Sequence, residues 1–103
     1  MVATDRAASL FVDVRLELFG LARIIAGRRE LHVSLPQDAC TADIARSLAR
    51  TCPALLGSVL SSDGSGLLES YTLNINGTAF VSDGRLELAS GDSILLFSSQ
   101  AGG

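Results

Sequence analysis

From Val12 onward apolar and polar side chains alternate, with Val12, Val14, Leu16 and Leu18 on one side and Asp13, Arg15, Glu17 and Phe19 on the other. A period of two is that of a half-buried β-strand. Gly20 breaks the pattern, and Leu21 to Gly27 reads as a turn or a single helical turn, followed by Arg28 and Arg29. Leu31, Val33 and Leu35 then alternate with His32 and Ser34 in a second strand, which Pro36 stops. Two strands joined by a short connection read as a hairpin.

The period then changes. Ile44, Ala45, Leu48, Ala49 and Cys52 recur at spacings of three and four, while Arg46, Ser47 and Arg50 fall on the opposite side. This is an amphipathic helix, with Thr41 as its expected N-cap and Asp43 in its first turn, where a negative charge suits the helix dipole. Pro53 ends it, and Leu55, Leu56, Val59 and Leu60 continue the apolar set as a second short helix. Ser61-Ser62-Asp63-Gly64-Ser65-Gly66 has the composition of a flexible surface loop. Tyr71, Leu73 and Ile75 alternate with Thr72 and Asn74, and Asn76-Gly77 is a strong hairpin signal before a returning strand, Thr78 to Val81. Ser82-Asp83-Gly84 turns again, Leu86 and Leu88 are core plugs, and Gly91-Asp92 turns into a last strand, Ser93 to Phe97. A helix between two strand groups must cross the sheet, so that strands from the two ends of the chain meet as parallel neighbours. The pattern therefore predicts an α+β fold, a mixed sheet packed on one main helix.

After Phe97 the pattern ceases. Ser98-Ser99-Gln100-Ala101-Gly102-Gly103 has no large apolar side chain, no ring and no charged side chain, so it has nothing to bury and is expected to be a thin, free peptide. Glycine lacks Cβ, and its backbone enters channels too narrow for other residues. As the last residue, Gly103 would carry an α-carboxylate, ionised at neutral pH. The expected organisation is a loose arm over residues 1–11, a domain over 12–97 and a tail over 98–103. Deleting 98–103 is expected to change stability by less than about 0.5 kcal/mol.

The last strand, its Gly-Asp turn and the terminal Gly102-Gly103 together resemble the C-terminus of the ubiquitin-like sulfur-carrier family. Its members include the small subunit of molybdopterin synthase, the thiamin-biosynthesis sulfur carrier and the cysteine-type carriers. Val14-Arg15-Leu16-Glu17-Leu18-Phe19-Gly20 looks like the family's first strand, and Leu73-Asn74-Ile75-Asn76-Gly77 like its internal strand and turn. The long stretch between the helix and the third strand, with that Leu73 to Gly77 motif, looks more like the cysteine-type and archaeal-type carriers than the compact thiamin type. Many members have proline in the spacer, where this chain has Ser98-Ser99-Gln100-Ala101. The resemblance implies a β-grasp (ubiquitin-like) fold. It also implies that a ubiquitin-activating-like adenylyltransferase, using ATP and Mg²⁺, converts the Gly103 carboxylate to an acyl-adenylate. A persulfide donor or sulfurtransferase then supplies the sulfur of a thiocarboxylate, which a sulfur-accepting synthase subunit consumes. Gly103 is the reacting group and Gly102 its slender neighbour, and Gln100 and Ala101 are the spacer that a partner would hold. No permanently bound cofactor is implied. The receiving pathway could be molybdopterin, cysteine, thiamin or tRNA thiolation.

Composition narrows the alternatives. The 103 residues suit one domain, and at 48% apolar they are too hydrophobic for a disordered chain. The net charge of −3 and the absence of a basic block argue against direct binding to nucleic acid. All eight basic residues are arginine, so no side chain here can accept an isopeptide bond. Cys40 and Cys52 fall at opposite ends of the predicted helix, about 18 Å apart, too far for a disulfide. Free thiols fit a reducing compartment, here the cytoplasm. Two cysteines and one histidine, His32, make a zinc site improbable, and His32 is expected on the solvent side of its strand. The apolar run from Ala7 to Val12 is too short for a membrane span or a signal core. No Ser/His/Asp or Cys/His set and no phosphate loop is present, so the chain reads as a protein co-substrate and not an enzyme.

Ordering six tail residues costs about 10 kcal/mol, so the body must dock on the partner as well. With Ile94 and Leu96 facing the core, Leu95 and Phe97 lie on the other face of the sheet, where they form a docking patch unless a helix or loop covers them. Two other readings stay open: a protein modifier conjugated through Gly103, and a β-grasp interaction module whose tail has no chemical role.

Overall fold

The computed structural model describes residues 11–81 and 84–98. Five strands and two helices follow the order β1 (Phe11–Leu18), α1 (Gly20–Ala26), β2 (Glu30–Pro36), α2 (Thr41–Thr51), β3 (Tyr71–Ile75), β4 (Ala79–Val81) and β5 (Ser93–Ser98), with a 3₁₀ turn at Pro53–Leu55. The sheet order is β2-β1-β5-β3-β4. β1 and β5, from opposite ends of the chain, are parallel, and every other neighbouring pair is antiparallel. This is the mixed sheet with one main helix that the sequence pattern predicts, and its topology is the one the family resemblance implies.

The inward positions are those of the alternation. Leu16, Leu73, Ile94 and Leu96 are fully buried, and Ile44, Ala45 and Leu48 of α2 meet the same core. Each such leucine or isoleucine contributes about 1.5–3 kcal/mol on leaving water. Leu86 and Leu88, in an extended segment without a ladder, fill the remaining gap. The connection between β1 and β2 is a full helix, α1, and Gly27 closes it.

Four local expectations are corrected. Thr41 is the first helical residue and is buried, and the N-cap is Cys40. The reason is spacing: Asp43 lies three residues beyond Cys40, as a capping box requires, and its carboxylate accepts the Cys40 backbone N–H at 2.8 Å. Ser47, expected to face out, is buried. The apolar set after Pro53 forms one 3₁₀ turn and then a chain of tight turns, burying Leu55, Val59 and Leu60 but leaving Leu56 exposed. The loop from Ser61 to Gly66 is knitted by its own side chains, with the Ser61 and Ser65 hydroxyls and the Ser65 N–H all donating to the Asp63 carboxylate. These donors hold Asp63 down to about 2. Gly64 in this loop has φ +74° and is buried, and a Cβ there would meet Ala49 Cβ at 3.2 Å, so the turn admits glycine only.

The Asp43 carboxyl lies below its ordinary value of 3.8, first because of the Cys40 N–H; burial opposes this and the Arg46 guanidinium assists. A depressed carboxylate stabilises the fold above its unfolded pKa, and the contribution is lost as pH falls through the folded value. Asp43→Ala is therefore expected to cost about 1 kcal/mol at pH 7. Urea unfolding of both proteins across a pH series should show the difference shrink as pH falls below 3.8.

Cys40 and Cys52 flank α2 as N-cap and C-cap, and both are free thiols, the first half-buried and the second buried. Thiol titration of the unfolded, unreduced protein should count both, and in the native protein Cys40 should react before Cys52. His32 is exposed beside Glu30, at 2.9 Å, as expected. Among the described residues no helix is long and apolar enough to cross a membrane.

Candidate functional site

The strand that leads to the tail lies inside the sheet, between β1 and β3. Its start is held by a network built from two turns. The Asn76-Gly77 turn has both residues at positive φ, 56° and 76°, and Thr78 N–H donates to Ile75 O across it at 3.0 Å. Positive φ is what a tight hairpin needs, and Asn and Gly tolerate it best. The Asn76 side chain then reaches β5: its Oδ1 accepts Ser93 N–H at 2.8 Å, and its Nδ2 donates to Asp92 Oδ1 at 3.0 Å. Asp92 Oδ2 accepts Ala89 N–H at 2.8 Å. From the other side Gly91 N–H donates to Asp13 O, and Arg15 N–H to Asp92 O. The two sequence motifs, Asn-Gly and Gly-Asp, thus meet in space and set the register of β5.

At its far end β5 runs between Leu18 and Tyr71. Leu18 pairs with Leu96, Phe19 N–H donates to Leu96 O at 3.1 Å, and Tyr71 pairs with Ser98. Ser98, expected to open the tail, instead closes the ladder, so a deletion that leaves the sheet whole begins after it. Gln100, Ala101, Gly102 and Gly103 lie outside the described residues.

Leu95 and Phe97 lie on the face of β5 opposite Ile94 and Leu96, as the alternation predicts, but they are half-buried where an exposed patch was expected. Their neighbours on that outer face follow from the register: Glu17 beside Leu95, Thr72 beside Phe97, Asn74 beside Leu95 and Phe80 beside Asn74. Phe80 is 71% exposed, and its ring meets that of Phe97 edge-on, centroids 5.9 Å apart at 72°. Edge-to-face pairs at this separation are favourable. Polar groups rim the patch: Arg15 pairs with Glu17 at 3.4 Å and donates to the Ser93 hydroxyl at 2.8 Å.

Sequence reasoning found Leu95 and Phe97 and missed Phe80. A two-residue Asn76-Gly77 turn would set Phe80 opposite Leu73, on the core face; in the structure Thr78 also belongs to the connection, Ile75 pairs with Ala79, and Phe80 falls opposite Asn74 on the outer face. It also read Thr72 and Asn74 as the polar side of a half-buried strand, whereas both are buried, at 6% and 5% exposure. The large side chains of β4 and β5 rise on either side of them. Among the described residues no cluster of His, Cys, Asp or Glu could hold a metal ion. The two displaced carboxyls, Asp43 and Asp63, serve a helix cap and a loop and not this face.

Comparison with solved structures places this geometry among known proteins. Small archaeal modifier protein 1 from Haloferax volcanii matches 88% of this chain and 99% of its own, at a TM-score of 0.67 and 28% identity. The protein of the same name from Methanosarcina acetivorans matches 90% of this chain and 98% of its own, at 0.67 and 24%. A putative molybdopterin converting factor, subunit 1, from Pyrococcus furiosus matches 84% and 97%, at 0.62 and 21%. The last two carry the fold alone. No protein-family model and no curated protein sequence matches the chain.

Proposed function

We propose that this protein, a ubiquitin-like β-grasp chain similar to the small archaeal modifiers and to the molybdopterin converting factor subunit, is a sulfur carrier that works through the carboxylate of Gly103. The observation that carries the reading is the pinned central strand. β5 is locked at its start by Asn76 and Asp92, flanked by β1 to Leu96 and by β3 to Ser98, and continues in sequence into a spacer that ends in Gly102-Gly103. A rigid strand followed by a thin peptide delivers a terminal carboxylate to an enclosed site at a fixed distance from the docked body.

The chemistry follows from the weakness of a carboxylate as an electrophile. It is anionic and lacks a good leaving group. A carboxylate oxygen of Gly103 attacks the α-phosphorus of ATP, pyrophosphate departs, and an acyl-adenylate forms. The terminal sulfur of a persulfide attacks the acyl carbon and AMP leaves. A second thiol cleaves the resulting acyl disulfide, being oxidised to a disulfide as the thiocarboxylate is released. ATP and Mg²⁺ belong to the activating enzyme, and the carrier holds neither. Leu95, Phe97 and Phe80 are the docking patch, and Gln100 and Ala101 are the segment held in the partner's channel. A reducing, cytoplasmic setting suits both the free thiols and the thiocarboxylate.

Intact-mass spectrometry tests this. Incubation with a cognate adenylyltransferase, ATP, Mg²⁺, a persulfide donor and a thiol should add the mass of one oxygen replaced by one sulfur. A chain that no such enzyme modifies would leave the interaction-module reading in first place.

A second reading is favoured by the name of the Haloferax neighbour, a modifier protein. The same acyl-adenylate would then pass to a lysine of a target. This chain has no lysine of its own, so conjugates would carry it as a donor only. Isopeptide-linked peptides ending in Gln-Ala-Gly-Gly would distinguish the two.

A further inference from the structure

The outer face contains one group that the docking patch does not explain. Asn74 Oδ1 is fully buried and has no hydrogen-bond partner. An orphaned buried acceptor costs about 1–3 kcal/mol, and native proteins keep few of them. Asn74 sits at the middle of the face, opposite Leu95 on one side and Phe80 on the other. β4 and β5 are second neighbours, about 9.5 Å apart across β3. Their Phe80 and Phe97 ring centroids are only 5.9 Å apart, so the two rings lean inward over β3 and roof the Thr72–Asn74 stretch. Phe80, 71% exposed on a three-residue edge strand, has room to rotate, and exposed side chains change rotamer on a ps–ns timescale.

We propose that Asn74 is the recognition point of the docking face and that its occupant is an arginine side chain of the partner protein. The inference rests on the docking reading above but not on the chemistry of the tail. Three features select a guanidinium. The orphan is an acceptor, so the incoming group must donate. The walls are aromatic, and a guanidinium stacks on ring faces and sheds water more readily than an ammonium. The row across the sheet that holds Asn74 runs Glu30, Glu17, Leu95, Asn74, Phe80, which places two carboxylates on the approach, Glu17 beside Arg15 and Glu30 beside His32. Rotation of Phe80 opens the roof, one N–H of the guanidinium donates to Asn74 Oδ1, and the rings close on its faces.

The test is an NMR titration of the isotopically labelled full chain with acetyl-Leu-Arg-Leu-amide, and with the same peptide carrying norleucine in place of arginine. The arginine peptide should bind about tenfold more tightly, the equivalent of one charge-assisted hydrogen bond, with shifts centred on Asn74, Phe80 and Phe97. Asn74→Leu should abolish that preference while raising the thermal midpoint by about 4 °C or more, since the orphan is gone. A midpoint that falls would mean that Asn74 is structural and would overturn the proposal. So would equal affinity for the two peptides, shifts elsewhere on the protein, or concentration-dependent shifts of this face without peptide, which would assign it to a second copy of the chain. A chain lacking Gly103 should bind the arginine peptide as wild type does. Failure of the carrier chemistry and failure of this site are therefore separately visible.

Discussion

Removing Gly103 is expected to lower the rate of thiocarboxylate formation by at least about 100-fold while leaving thermal unfolding unchanged. One residue shortens an extended chain by about 3.3–3.6 Å. The strand that sets the origin of the reach cannot slide to compensate. Its register is tied to the Asn76 and Asp92 side chains at one end and to Leu18 and Tyr71 at the other. Slippage by one residue would also turn Ile94 and Leu96, both fully buried, to the outer face. The carboxylate therefore falls short of the α-phosphorus, and a misplacement of about 1 Å already costs on the order of 100-fold. Appending a residue should be equally damaging, and Gly102→Val should act by bulk and by loss of backbone freedom. Single-turnover mass spectrometry with saturating activating enzyme is the measurement. Thiocarboxylation of these variants at the wild-type rate would separate function from the terminal carboxylate.

Phe97→Ala is expected to act on binding. Interface residues that dominate affinity are aromatic, central and flanked by lesser contacts, and truncating one costs about 2 kcal/mol or more, roughly 30-fold. Phe97 meets that description: half-buried, next to the root of the tail and in ring contact with Phe80. KM for the carrier should rise by about 30-fold with kcat nearly unchanged, because the tail that reacts is intact. The fold should tolerate the change, since Phe97 lies on the side of β5 opposite Ile94 and Leu96. A variant with unchanged KM would show that the activating enzyme holds a different surface. A fall in kcat alone would mean that Phe97 steers the tail without binding.

The two variants probe different ends of one device. Ordering the tail would cost about 1–2 kcal/mol per residue, more than a Gly-Gly end with no side chains is expected to recover from its own contacts. In the proposed reading the apolar patch would supply the contacts, and the locked strand would convert docking into position. A partner that bound the body would then place the carboxylate without having to select among strand registers.

Much of this was legible in the chain. Alternation assigned Leu16, Ile94 and Leu96 to the core and Leu95 and Phe97 to the other face, because a strand has a period of two whatever it pairs with. Helical spacing placed Cys40 and Cys52 at the two ends of α2, and that spacing alone excluded a disulfide between them. Asn76-Gly77 and Gly91-Asp92 marked turns through backbone conformations that few other residues accept.

Tertiary structure decided the rest. That β5 lies between β1 and β3 is a matter of which strands meet, and pairings between distant segments leave no local signature. That Thr72 and Asn74 are buried depends on Phe80 and Phe97 leaning over them from strands on either side, so polarity in sequence did not mean exposure. Cys40 displaced Thr41 as the cap because the carboxylate of Asp43 reaches back three residues. Composition predicted a slack loop at Ser61 to Gly66, but the loop closes on its own Asp63, and Gly64 must fit against Ala49. Periodicity is written into the chain because backbone geometry repeats locally. Strand order, and the side chains that come to share a face, arise only when the whole chain buries its apolar surface at once.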